Sequence, residues 1–208
     1  MKFALAALLA FSAFAAEGND NQQLPGPQPE VETGAAKIEV YCDFRCPFCA
    51  RLFNALLPLA TAENRQLTLR FRHFPFHGGS PELALFFEAA RTQQKVDGLV
   101  LIESLYRFQD NISSYNVPAA EDALAMLHGL DRATLKRDLH ARDVALTVRQ
   151  DEQAAVAAGV DHTPSVFIDG ALLVGPPEQI AVAILRASPP APPREFPSES
   201  DDCNVCKK

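Results

Sequence analysis

Cys46-Pro47-Phe48-Cys49 stands where one periodicity ends and another begins. Lys37-Ile-Glu-Val-Tyr-Cys42 alternates as a half-buried strand does, whereas Phe48, Leu52, Phe53, Leu56 and Leu59 recur at helical spacing through residues 46–64. Two cysteines three apart at a strand-to-helix turn narrow what the chain can become. Pro47 has no N–H to leave unpaired and suits the first helical turn. Cys46 then meets the helix N-terminus, and Cys49 lies one turn further along the same face.

The rest of the body continues this start. Leu67–Phe71 reads as a second strand, paired parallel to the first across the helix in a right-handed β-α-β unit, and Pro58 is expected to bend that helix. A long helical stretch follows. Ser80 is its expected cap with Pro81 in the first turn, Asn116 and Pro118 precede another helix, and Asp131 caps one further run to Ala158. Gly159 closes that run. Ser165–Ile168 and Ala171–Val174 form a hairpin across Asp169-Gly170, and a last helix spans Pro177–Ala187. Parallel pairing first and a hairpin last predict an α/β thioredoxin fold: a small mixed sheet flanked by helices, with an inserted helical subdomain at about residues 79–158.

Composition fits one domain with tails: of 208 residues, 48% are hydrophobic and 22% charged, which excludes wholesale disorder. Residues 1–15 read as an export signal, with Lys2 as the basic start, an apolar stretch from Phe3 to Phe14, and Ala13-Phe14-Ala15 as a small-x-small cleavage site. Residues 16–36 form a polar, Pro-containing linker, 37–187 the domain, and 188–208 a Pro-rich tail ending in Cys203-Asn-Val-Cys206. Export places the five cysteines in an oxidising compartment, periplasmic or otherwise extracytoplasmic. The net charge of −7 repels phosphate backbones, so nucleic acid is not an expected partner.

The pair carries the chemistry. Unpaired N–H groups and the macrodipole at a helix N-terminus favour thiolate, so Cys46 is expected to titrate below about 8.5 and act as nucleophile. Cys49, covered by the helix, resolves the mixed disulfide. Thr163-Pro164 precedes a strand at the sheet end facing that helix. A cis bond there frees the Thr163 backbone for an extended substrate and keeps the loop beside the Cys46 sulfur. Two other readings remain: an inert disulfide, or a zinc site shared with Cys203 and Cys206. Zinc pairs usually lie about 15 to 20 residues apart, whereas here nearly the whole domain intervenes.

Tyr41-Cys-Asp-Phe-Arg-Cys-Pro-Phe-Cys49, Phe74-Pro75, the helical insertion and Gly159-Val-Asp-His-Thr-Pro-Ser-Val-Phe-Ile-Asp-Gly170 together resemble the DsbA-like thioredoxin-fold thiol:disulfide oxidoreductases. The resemblance covers about residues 37–186. It implies a monomeric enzyme without a cofactor or resident metal, acting on exported protein substrates and served by a membrane redox partner. In it Cys46 is the nucleophile, Cys49 the resolving thiol, Pro164 the cis-proline, and Thr163 and Phe48 the substrate contacts. Where family members carry an acidic residue six positions before the nucleophile, this chain has Val40, and Glu39 faces the other way. The Pro47-Phe48 dipeptide lacks the histidine of the strongest oxidants, and Thr163 is similar to the isomerase branch. His162 replaces a common glycine. A reductase or isomerase kept reduced by a membrane donor, serving copper tolerance or cytochrome maturation, is the alternative within this chemistry.

Cys42 is the odd cysteine, read as a buried thiol on the face of Ile38 and Val40, or else as a third redox or copper-binding thiol. His73 and His77 flank Pro75, and together with the two cysteine pairs they define a different class of function, a Cys/His metal-binding protein. Cys203 and Cys206 form a possible second redox pair, since a flexible tail spans about 20 Å root-mean-square and holds its end at high effective concentration.

Overall fold

The computed structural model describes residues 36–190. The expected export signal, most of the linker and the Cys203–Cys206 pair lie outside them. The first strand, β1 (Ile38–Cys42), occupies the middle of a four-stranded sheet ordered β2-β1-β3-β4, with β2 at Leu69–His73, β3 at Ser165–Ile168 and β4 at Ala171–Leu173. β1 pairs parallel with β2, from Ile38 opposite Leu69 to Cys42 opposite His73, and antiparallel with β3, from Ile38 opposite Ile168 to Tyr41 opposite Ser165. Alternation along β1 sends Ile38, Val40 and Cys42 into the main core, and Tyr41 into a smaller cluster with Ala155 and Val160 on the other face.

The sheet is flanked by helices, as a thioredoxin fold requires. α1 (Pro47–Ala62) follows β1 and packs on the last helix, α7 (Pro177–Ala187). Between β2 and β3 come α2 (Ser80–Thr92), α3 (Gly98–Arg107), a 3-10 turn (Gln109–Asn111), α4 (Val117–Leu127), α5 (Arg132–Asp138) and α6 (Arg142–Ala157). α3 also packs on α1, and α6 lies against β2. Asp169 and Gly170, at φ +50° and +80°, form the left-handed two-residue turn that the hairpin needs.

Four details depart from the sequence expectations. β2 starts and ends two residues later than expected, because Arg72 and His73 look unlike interior strand residues until their partners are known. Arg72 is held by Glu39 and by Asp151 of α6, each at 2.9 Å, and His73 donates its Nε2–H to Glu88 at 2.9 Å. The cap of α2 is Gly79, at φ +85°, and Ser80 is the first helical residue. α3 is a separate helix with its own cap, Asp97, which accepts from Leu99 N at 2.8 Å. The run from Asp131 breaks between α5 and α6 at residues 139–141. At 100° per residue Leu135 and Val144 would face opposite ways in one helix, and the break lets both enter the core.

The last described residues are part of the body. Gln66 N donates to Pro189 O at 3.1 Å, Arg65 Nη1 to Ser188 O at 2.9 Å, and Pro190 bridges to Arg65.

Candidate active site

Cys46 is the N-cap of α1, in extended conformation at φ −78° and ψ 119°, with Pro47 at the first helical position. Its backbone N–H donates to Asp43 O at 3.0 Å, closing a tight turn out of β1. Cys46 is 3% exposed and Cys49 0%, while Phe48 between them is 51% exposed. Both thiols are free. The Thr163–Pro164 peptide bond is cis, and Cys46 Sγ donates to Thr163 O at 3.2 Å. Residues 117 apart in sequence thus meet at the sulfur. In this state the carbonyl expected to receive substrate is taken by the Cys46 thiol, and the buried Thr163 Oγ1 has no partner.

The turn is held by residues the sequence did not advertise. Asp43, fully buried, accepts from Arg45 N at 2.6 Å, Phe76 N at 2.9 Å, His77 N at 3.0 Å, His77 Nδ1 at 2.8 Å and the Ser80 hydroxyl. Burial alone would raise the Asp43 carboxyl; the Ser80 and His77 hydrogen bonds outweigh it and hold the group below the ordinary value. Gln109 donates both amide hydrogens, to Phe44 O at 2.8 Å and Cys46 O at 3.0 Å, and the Arg45 guanidinium donates to Ile112 O. Phe44 stacks on Phe71 with centroids 5.2 Å apart and is ringed by His73, Phe87 and Tyr106.

Beneath Cys49 lie Cys42 and Tyr106. The Cys49 thiol lies beside those of Cys46 and Cys42 in the core and near the Asp43 backbone, while the Tyr106 hydroxyl lies beside Cys42 and donates to Asp43 O at 3.5 Å. Burial pushes Cys49 up. Cys46 is raised too, first by the Cys49 thiol beside it and then by burial; Thr163 and the Cys49 backbone N–H pull the other way and lose. The depressed value expected from the helix N-terminus is therefore not that of the closed, reduced site.

Val40 is buried in the core, and Glu39 on the opposite face binds Arg72, so neither serves Cys49. His73 and His77 are held by separate carboxylates, Glu88 and Asp43. Among the described residues no group of three or more His, Cys, Asp or Glu is arranged to hold a metal ion, and no helix is long and apolar enough to cross a membrane. His162 is exposed and pairs with Asp161 at 2.6 Å. Asp43, Tyr106 and Gln109 had no local signal, since apart from Arg45 N on Asp43 their partners lie 33 to 65 residues away in sequence.

A family model described as thioredoxin matches residues 32–183. The Na+/H+ antiporter NhaA 1 of Mycobacterium sp. (strain KMS) is 29% identical over 153 residues, covering 71% of this chain and 24% of that protein. The chain therefore spans about a quarter of the length of such relatives. The protein named "Probable disulfide bond formation protein D" of Bacillus cereus is 29% identical over 145 residues, 65% of this chain and 66% of that one. Among solved structures, a thioredoxin-like oxidoreductase from Silicibacter pomeroyi DSS-3 superposes with a TM-score of 0.59 at 27% identity, covering 73% of this chain and 86% of that chain. The alpha-DsbA1 of Wolbachia pipientis shares the fold, with a TM-score of 0.58 at 15% identity over 73% of this chain and 84% of its own. The chain belongs to the thioredoxin family.

Proposed function

We propose that the protein is an extracytoplasmic thiol:disulfide oxidoreductase that exchanges disulfides with exported proteins through Cys46 and Cys49. The observation that carries this reading is the meeting of Cys46 Sγ with the Thr163 carbonyl beside Pro164, with Cys49 sealed behind it. A substrate thiolate attacks Cys46 Sγ of the oxidised pair, the Cys46–Cys49 bond breaks, and Cys49 leaves as a thiolate that takes up a proton. A second substrate thiolate attacks the substrate sulfur of the mixed disulfide and expels Cys46. The substrate then holds one new disulfide and the enzyme two thiols, and the reverse sequence reduces a substrate.

The role given to Thr163 is to offer its backbone to an extended substrate once Cys46 Sγ has left its carbonyl. Phe48, half exposed beside the sulfur and flanked by the Arg51 guanidinium 5.7 Å from its ring, supplies an apolar contact. Delivery across a membrane rests on the export signal at residues 1–15, and a membrane redox partner returns the pair to its working state.

Cys49→Ser is the test: incubated with a reduced, unfolded exported protein and an oxidant, it should accumulate a mixed disulfide through Cys46 on non-reducing gels. Cys46→Ala should form none and lose turnover. Equal turnover by Cys46→Ala and the parent would sink the proposal. The equilibrium of the pair with glutathione then separates an oxidase from the reductase or isomerase alternative.

A further inference from the structure

Cys42 has no part in the exchange just described, yet it touches the sulfur that does. It closes β1 at 1% exposure. The tight turn from Asp43 to Cys46 reverses the chain so that the third residue of α1 returns over the strand end, and Cys49 Sγ rests against the Asp43 backbone. There the Cys49 sulfur has two thiols as neighbours, Cys46 and Cys42, all three buried in one core cluster. The Tyr106 hydroxyl, stacked in place on Phe53 with centroids 5.3 Å apart, meets the Cys42 thiol. Three cysteines and a tyrosine thus lie buried in one core cluster, and they form no metal-binding group.

We infer that Cys42 is a third redox thiol, one that pairs with Cys49 in a Cys42–Cys49 disulfide and so frees Cys46 while the protein stays at the disulfide oxidation level. The inference rests on Cys46 and Cys49 being the redox pair. Its chemistry is exchange within one molecule. The Cys42 thiol gives up its proton and attacks Cys49 Sγ; the Cys42–Cys49 bond forms, the Cys46–Cys49 bond breaks, and the electron pair and proton end on Cys46. One disulfide and one thiol are present before and after, so no oxidant or reductant is consumed. The phenol hydroxyl at Cys42 is placed to donate to that sulfur while it is a thiolate.

The partner of Cys49 then decides what Cys46 does. With Cys46–Cys49 closed, the protein donates a disulfide. With Cys42–Cys49 closed, Cys46 is a nucleophile without a resolving neighbour: its mixed disulfide with a substrate persists until another substrate thiol displaces it, which rearranges the substrate's disulfides without net oxidation.

Tryptic peptides separate the two states, because Arg45 lies between Cys42 and Cys46. The full chain is oxidised with diamide, denatured with excess maleimide, digested and mapped by mass spectrometry. Cys46–Cys49 gives a loop within residues 46–51, whereas Cys42–Cys49 joins residues 38–45 to residues 46–51. In Cys46→Ala, with its native melt first verified, most molecules should carry the joined peptide, and the further change Cys42→Ser should reduce it at least tenfold. A Cys49 that stays maleimide-labelled in Cys46→Ala, or that pairs with Cys203 or Cys206 instead, overturns the inference; Cys46→Ser gives an independent repeat. The parent chain keeps the two claims apart: a loop there with no joined peptide in either variant removes only the role of Cys42, whereas no loop in the parent removes the functional reading beneath it.

Discussion

Asp43 sits three residues before Cys46 and binds donors from three segments, so its ionisation is coupled to folding. Its carboxyl is held below the ordinary value of about 3.9, and a lowered folded-state value gives stability that is present above the unfolded value and lost as pH falls through the folded one. Asp43→Asn should flatten the acid side of a melting-temperature profile from pH 2 to 7, and cost about 3 to 5 kcal/mol at neutral pH by disrupting a buried charged network. An acid limb as steep as the parent's would show that another carboxylate governs it. The cysteines obey a related rule. Since the Cys49 thiol is the first cause raising Cys46, Cys49→Ala should move the pH midpoint of Cys46 alkylation downward in the reduced protein. Maleimide labelling of residues 46–51 against pH measures this, and an unchanged or higher midpoint refutes it. Cys46, Cys49, Thr163 and Pro164 were legible because each belongs to a local pattern. Asp43, Tyr106 and Gln109 were not, because their meaning lies in partners that only the folded chain brings near.

Among the elements, α4 carries a strained charge. Glu121 is pushed up to about 7, by burial first and then by Glu82 and Asp122. A carboxyl raised on folding binds its proton more tightly in the folded state, so stability falls as pH rises from the unfolded value to about 7 and stays lower above it. Glu121→Gln should therefore raise the melting temperature at pH 8 by about 2 °C, the screened effect of a partly exposed group, and change it little at pH 4. Equal shifts at both pH values would point to packing instead. Element boundaries follow the same division between local and distant causes. The Asp169-Gly170 turn and the start of α1 were readable from neighbouring residues. The end of β2 was not, because Arg72 belongs in a strand only beside Glu39 and Asp151. The α5–α6 break carries no glycine or proline, and its reason, two apolar faces half a turn out of phase, appears only once both are seen to enter the core.

At the scale of the described domain, the helical insertion and the thioredoxin sheet meet at the Asp43–Cys46 turn. Gln109, just after α3, holds the carbonyls of Phe44 and Cys46, and Ile112 receives Arg45. Gln109→Leu leaves the Phe44 carbonyl without its side-chain donor and the Cys46 carbonyl with only the Ala50 N–H, so it should cost about 1 to 3 kcal/mol in denaturant melts and speed maleimide labelling of Cys46 at fixed pH. A loss of stability with unchanged labelling would mean that the insertion supports the fold without restraining the nucleophile.

The turn also has an order of assembly written into it. A chain made N-terminus first presents Cys46 early. Its hydrogen-bonding carbonyl follows only 117 residues later, after the entire insertion has emerged. The Gln109 clamp can form once residue 109 is out, but until residue 163 follows, Cys46 lacks that carbonyl, and its sulfur is open to any thiol or disulfide in its surroundings. The redox conditions that the growing chain meets therefore bear on Cys46 before the Thr163 carbonyl is there to hold it.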